Sequence, residues 1–146
     1  MHEKIIEKAA EVIRAKTGGI GGGMMGYAVL ALIDENGYPT ASTLTISKAE
    51  GIKWLTFLTS VDSNKAKRIS KCNKGSVYLD SSEYNISLVG TLEVLADPDI
   101  KKEMWYEAIG GLFSGPDDPA YCVLRFNTER YNLFFADDGS TADGTI

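Results

Sequence analysis

The chain has 146 residues, of which 44% are hydrophobic and 24% are charged, and these ordinary globular values argue against disordered and collagen-like classes. This length fits one domain, 1–146, with one sizeable core. A net charge of −5 and a pI near 4.9 argue against nucleic acid as the main partner, because a phosphate backbone requires a basic surface. An anionic membrane surface is disfavoured for the same reason.

The few cysteine and histidine residues limit the chemistry that we expect. Cys72 and Cys122 lie far apart and lack C-x-x-C spacing, so neither a disulfide framework nor a metal site is predicted. His2 is the single histidine, which argues against Ser-His-Asp and Cys-His triads. No signal peptide is recognisable, and no apolar run approaches the roughly 20 residues that span a bilayer. We therefore predict a cytoplasmic protein with no membrane partner.

The N-terminal segment, 1–26, combines an amphipathic helix with a glycine-rich connector. Residues 3–16 place their apolar side chains on one helical face, and we expect this helix to cover one end of a β core. The connector Thr17–Gly26 contains six glycines, and Gly21–Gly26 formally matches G-x-G-x-x-G. That dinucleotide fingerprint must follow a strand and open a helix, whereas this one follows a helix. A flexible connector is therefore favoured over a direct ligand role.

From Tyr27 onward the pattern indicates an antiparallel β meander. Tyr27–Ile33 is a continuous apolar run, and an Asn-Gly turn signal follows it. The next strand, Thr40–Ser47, alternates hydroxyl-bearing and apolar side chains. A second turn leads into a third strand, Ile52–Thr59.

The third strand runs directly into a short predicted helix, Asn64–Cys72, with Ser63 at its N-cap position. Such a junction presents free backbone N–H groups and the positive end of the helix dipole at one place. The hydroxyls of Thr59 and Ser63 and the ammonium of Lys65 could converge there and seat a phosphate group. The alternative is an ordinary strand–turn–helix with a solvated basic face, which the local sequence taken alone favours.

The second half of the chain contains four further predicted strands and a third helix. These strands are Ser76–Leu79, Asn85–Leu95, Tyr121–Phe126 and Arg130–Ala136. Gly90, inside a strand, indicates a bulge or a close backbone approach at a barrel corner. Asp97 and Pro98 begin a helix that is predicted to reach Ile109, and the tail 137–146 is predicted to be flexible. Short strands with hairpin turns predict a mainly β (α+β) fold, an antiparallel barrel of about six to seven strands with about three short peripheral helices.

Four motifs occur in order along the chain. They are Asn36-Gly37-Tyr38-Pro39-Thr40-Ala41-Ser42, Phe57-Leu58-Thr59 with Ser63-Asn64-Lys65, Leu88-Val89-Gly90-Thr91-Leu92-Glu93, and Trp105 with Phe113-Ser114-Gly115-Pro116-Asp117-Asp118-Pro119. Together they resemble motifs of the pyridoxamine 5′-phosphate oxidase-like, FMN-binding split-barrel family, in particular its general stress protein branch. The resemblance covers roughly Tyr27 to Phe134 and implies that the predicted barrel is a split barrel.

The resemblance also implies an FMN site at the interface of a homodimer. The phosphate would be held by Ser63, Asn64 and Lys65. The ribityl chain and the ring would be lined by Phe57, Leu58 and Thr59. The polar edge of the isoalloxazine would be addressed by Thr43, Leu44 and Thr45. The partner subunit's side of the site would be supplied by the residues equivalent to Asn85, Trp105 and Phe113.

The implied function is that of a flavin-dependent oxidoreductase or reductase with an unknown small-molecule electron donor or acceptor. Flavin carries this chemistry itself, so no catalytic side chain is predicted. Vitamin B6 oxidation is not expected, because Thr40–Ser47 lacks the arginines of true pyridoxamine phosphate oxidases and no histidine follows His2. The main alternative is a non-catalytic flavin-binding or stress-response module on the same fold. A haem or deazaflavin variant is a further alternative, and the single histidine disfavours haem.

Overall fold

The computed structural model describes residues 2–18, 27–109 and 111–146. Within these ranges the strands are β1 Tyr27–Ile33, β2 Pro39–Glu50, β3 Trp54–Ser60, β4 Lys74–Asp80, β5 Tyr84–Leu95, β6 Tyr121–Phe135 and β7 Ser140–Thr145. The helices are α1 His2–Ala15, α2 Asn64–Lys71 and α3 Pro98–Met104, and a single 3-10 turn covers Glu107–Ile109. Most of the predicted glycine-rich connector Thr17–Gly26, residues 19–26, lies outside the described residues.

The strands form a closed antiparallel barrel. The sheet order is β3-β2-β1-β4-β5-β6-β7, and an additional β3–β6 pairing closes the first six strands of that order into the barrel. The outer edge of β6 pairs first with β3, over Tyr121–Asn127, and then with β7, over Arg130–Phe135. The structure therefore confirms the predicted mainly β fold with three helices, and β7 extends the sheet beyond the barrel.

Alternation along the strands fills the interior. In β1 the side chains of Ala28, Leu30 and Leu32 are buried, while the residues between them face outward. The Asn-Gly signal forms the predicted turn, because Gly37 has φ +84° and the Asp34 carboxylate accepts backbone hydrogen bonds from Asn36 and Tyr38. Helix α1 packs its apolar face into the same core, which covers the barrel as the sequence predicts.

A close backbone contact bends the barrel at Gly90. A Cβ built there would lie 2.0 Å from the backbone oxygen of Asn127. The pairing of β5 with β6 shifts register at this point, so that Glu129 is an extra residue between Thr128 and Arg130. Opposite Gly90 the sequence predicts two strands, Tyr121–Phe126 and Arg130–Ala136. That prediction is wrong, because the structure has one long strand, β6, and the apparent break between the two is this bulge.

The tail 137–146 is predicted to be flexible, but most of it forms a strand. Ser140–Thr145 forms β7, whose Ala142 side chain is buried in the main core. The small and acidic composition concealed this strand, because only one of its side chains reaches the interior. An ion pair of 2.8 Å between Lys8 and Asp137 connects the preceding turn to α1.

The third helix begins as predicted and ends early. Asp97 caps it by accepting hydrogen bonds from the backbone N–H groups of Asp99 and Ile100, and Pro98 occupies the first turn. The helix ends at Met104 rather than Ile109, because Trp105 takes an extended conformation and packs on Tyr121. None of the helices in the described part of the chain is long and apolar enough to cross a membrane.

Candidate functional site

The candidate site is an opening in the barrel wall where β2 and β3 separate. The two strands pair from Glu50–Trp54 to Ile46–Phe57. Beyond that pair, β2 continues along β1 and β3 continues along β6, and no other described strand joins their facing edges. Unpaired strand edges present backbone N–H and C=O groups, so this opening can bind a polar ligand edge through the backbone.

The first turn of α2 lies beside this opening, since only three residues separate it from β3. The Ser63 hydroxyl oxygen accepts a hydrogen bond of 3.2 Å from the backbone N–H of Ala66, so Ser63 is the N-cap that the sequence predicts. The side chains of Ala66 and Ile69 are buried and anchor the helix. Lys65 is half-buried, and no carboxylate in the described part of the chain lies within ion-pair distance of it.

The predicted ring-side residues present different groups to the opening. Phe57 is fully buried in the main core, and Leu58 is buried under α3. Both residues can therefore present only backbone groups to the opening. Thr59 is half-buried at the end of the β3–β6 ladder. On β2, Thr43 is exposed and Thr45 is half-buried on the outer face, while Leu44 packs against the core.

A second hydrophobic cluster lies on the outside of β3. It surrounds Tyr121, whose ring centroid is 5.4 Å from that of Trp105 and 5.4 Å from that of Phe113. Leu58 contributes to the same cluster, so the structure brings Trp105 and Phe113 next to one of the predicted ring-side residues of their own chain. Burial raises the pKa of the Tyr121 hydroxyl, which donates a hydrogen bond of 2.8 Å to the backbone oxygen of Lys101.

Asn85 lies elsewhere. It is exposed on β5, where it forms a hydrogen bond with the Tyr78 hydroxyl and pairs with Phe134 of β6. This position is on the outer face of the sheet and does not belong to the two strands that border the opening.

Two further residues that the sequence did not single out as site residues lie near the free edge of β2. Burial raises the pKa of Tyr106, and the influence of the nearby Thr45 side chain opposes part of the rise. Arg68 donates a hydrogen bond of 3.2 Å from Nη1 to Thr40 Oγ1. The sequence contains a signal for each of them. Tyr106 directly follows Trp105 of the fourth motif, and Arg68 is one helical turn beyond Lys65, so both lie beside residues that were predicted.

Comparison with known proteins places these features in a family. The family model described as "Pyridoxamine 5'-phosphate oxidase like" matches residues 23–143. The chain belongs to this family. No curated protein sequence matches it.

Solved structures share the fold over nearly the whole chain. A Clostridium acetobutylicum protein related to general stress protein 26 is 25% identical, with a TM-score of 0.82 over 100% of this chain and 97% of that one. A Nostoc punctiforme pyridoxamine 5′-phosphate oxidase-related, FMN-binding protein is 15% identical, with a TM-score of 0.63 over 99% and 94%. A haem-binding protein from Mycobacterium smegmatis is 17% identical, with a TM-score of 0.69 over 96% and 57%. The family resemblance read from the motifs is therefore confirmed.

Proposed function

We propose that this chain binds FMN in the opening between β2 and β3 and acts as an FMN-dependent oxidoreductase on a small molecule. The observation that carries this proposal is the separation of the two strands after Ile46–Phe57, directly beside the capped N-terminus of α2. The opening thus combines free strand edges with a helix terminus that favours an anion.

The residues at the first turn of α2 fit a phosphate group. Because Ser63 Oγ accepts the N–H of Ala66, its own hydroxyl hydrogen remains available to donate. The backbone N–H groups of Asn64 and Lys65 belong to the first turn and have no acceptor within the helix. The half-buried Lys65 adds a positive charge close to these donors.

The rest of the opening fits a planar ligand with a polar edge. The unpaired backbone groups at Thr43–Thr45 would form hydrogen bonds with the polar edge of the ligand, while Thr59 would line the side toward β3. When bound, the flavin supplies the hydride or electron transfer, and the role of these residues is to orient it and to exclude water.

An uncharged outer sheet face supports the proposed homodimer. The cross-strand register aligns two rows of side chains over β2, β1, β4 and β5. Those rows are Thr43, Val29, Tyr78 and Ser87, and Ala41, Ala31, Ser76 and Val89. A protein with 24% charged residues that carries no charge at eight adjacent surface positions has a surface suited to a second copy. Thr43 belongs to this face, so a dimer formed here would extend to the opening.

Haem is not proposed as the cofactor. The only histidine of the chain, His2, is exposed on α1, and the two cysteines are a buried residue of β6 and a half-buried residue at the end of α2. A small-molecule oxidoreductase using FMN is therefore the function that these residues support best.

The test begins with the visible spectrum of the purified protein and an FMN titration. We expect a flavin spectrum, or quenching of flavin fluorescence at one FMN per chain, together with a dimeric mass in solution. A colourless protein that leaves added FMN fluorescence unchanged would refute the proposal. Dithionite reduction followed by turnover with a nicotinamide donor then separates an enzyme from a non-catalytic flavin-binding module, which would bind FMN without turnover.

A further inference from the structure

A cavity of about 290 Å³ lies on the outer face of α2, next to the turn between β1 and β2. It is lined by Glu35, Asn64, Lys67, Arg68 and Lys71, and is called the α2 cavity below. The four helical residues are spaced three or four apart, so they share one face of the helix. Three of the five lining side chains are cationic and one is acidic.

None of the three cations that line the α2 cavity forms an ion pair within the described part of the chain. The ion pairs found there join Lys8 and Lys53 to carboxylates and involve none of the cavity cations. The protein as a whole is acidic, with a net charge of −5, yet three cations and one carboxylate line this cavity and give it a positive balance. Such an arrangement attracts an anion from solution.

Arg68 is held in a fixed position in this cavity. Its Nη1 donates to Thr40 Oγ1, and Thr40 in turn donates a hydrogen bond of 2.9 Å to the backbone oxygen of Leu32. The Nε of Arg68 is buried and has no acceptor among the described residues, so this N–H group lacks a hydrogen-bond partner there. A guanidinium held in this way is a preorganised anion ligand, since little side-chain freedom remains to be lost on binding.

We propose that the α2 cavity binds the diphosphate group of a soluble nucleotide, as a second ligand beside the flavin. One guanidinium and two ammonium groups, offset by the single Glu35 carboxylate, match the charge of a diphosphate better than that of a single carboxylate. Asn64 lines the cavity and directly follows Ser63, so the nucleotide would lie adjacent to the proposed flavin phosphate. The nucleotide would be a nicotinamide dinucleotide that serves as the electron donor, and this role rests on the proposed function.

The test measures pyrophosphate binding by calorimetry at low ionic strength, using FMN-saturated protein so that the flavin phosphate position is filled. The Lys67→Ala/Lys71→Ala double variant is compared with Lys4→Ala/Lys102→Ala, which removes the same charge from exposed positions on α1 and α3. We expect the first pair to weaken pyrophosphate binding at least about tenfold and the second pair to have little effect. All four lysines are exposed, so the thermal unfolding midpoint should stay close to that of the wild type.

Further measurements distinguish the possible sources of the diphosphate. They also keep the test of the α2 cavity decisive if the flavin proposal fails. NADPH should compete with pyrophosphate and lose affinity by a similar factor in Lys67→Ala/Lys71→Ala; absence of competition would overturn the nucleotide assignment. If FMN does not bind, the same titration is made on Lys65→Ala protein, where pyrophosphate binding should persist. Equal affinities in the two double variants, or loss of binding only in Lys65→Ala, would overturn the α2 cavity as the site.

Discussion

Ile46 and Phe57 are the last residues that pair β2 with β3 before the two strands separate. Phe57 points into the barrel and is fully buried, so the separation is anchored by a core side chain. Immediately beyond it, Thr59 on β3 and Thr45 on β2 lie on diverging edges. The opening of the barrel therefore begins at a fixed, packed position, which suits a site that must hold a planar ligand in one orientation.

Replacing Lys65 should separate ligand binding from folding. A charge-assisted hydrogen bond contributes about 1.5–3 kcal/mol, so Lys65→Ala should weaken FMN binding by roughly tenfold or more. The free energy of unfolding should change by less than about 0.5 kcal/mol, because this half-buried lysine is near the surface. Flavin fluorescence titration and urea unfolding measure the two effects, with Lys102→Ala as the control. A variant that is less stable yet retains wild-type FMN affinity would show that the phosphate lies elsewhere.

Gly90 should tolerate no side chain. In Gly90→Ala the new methyl group would lie 2.0 Å from the backbone oxygen of Asn127, so either the bulge or the β5–β6 ladder must shift. We expect a loss of more than about 2 kcal/mol in the free energy of unfolding, or failure to fold. Gly115→Ala is the matched control, since, apart from its own chain neighbours, no atom of the described residues lies within 4 Å of a Cβ there. Similar unfolding midpoints for the two variants would contradict the proposed close contact.

The two cysteines should differ in reactivity. Cys122 is fully buried on β6, and burial raises the pKa of its thiol, so its reactive thiolate is scarce. Cys72 is half-buried at the end of α2. A thiol-specific dye should label one thiol per native chain quickly and both after denaturation, and Cys72→Ser should abolish the fast phase. Fast labelling that persists in Cys72→Ser would mean that β6 is accessible.

The Asp118 carboxylate should stabilise the loop between Ser114 and Ala120 at neutral pH and should lose this effect in acid. Backbone hydrogen bonds from Ser114 and then from Ala120 hold the pKa of Asp118 below its ordinary value. Because the folded-state pKa is the lower one, the stabilisation is fully present above the unfolded value of about 3.9 and is lost as the pH falls through the folded-state pKa. Fluorescence of Trp105 in a Trp54→Phe background should therefore change in acid.

Two variants test this pH dependence. Asp118→Asn should already show a loosened loop at neutral pH and a smaller acid-dependent change, because the amide cannot ionise. Asp117→Asn alters an exposed neighbour that forms none of these hydrogen bonds and should behave like the wild type. An unchanged acid profile in Asp118→Asn would exclude this carboxylate as the titrating group.

Local sequence was sufficient to predict most of the elements of this protein. β1 begins and ends where its apolar run predicts, and α2 has its predicted start and N-cap. The Asp97 cap and the close approach at Gly90 also followed from residues near each other in the chain. These features depend on backbone propensity, side-chain period and capping, which neighbouring residues determine.

Tertiary structure alone decided how the candidate site is built. The chain pattern did not show that β6 is one strand, that β7 pairs with it, or that β2 and β3 separate at Ile46–Phe57. It also did not reveal the contact of Arg68 with Thr40. The physical reason is that each of these depends on register and packing between segments distant in sequence, whose free energy no local window contains.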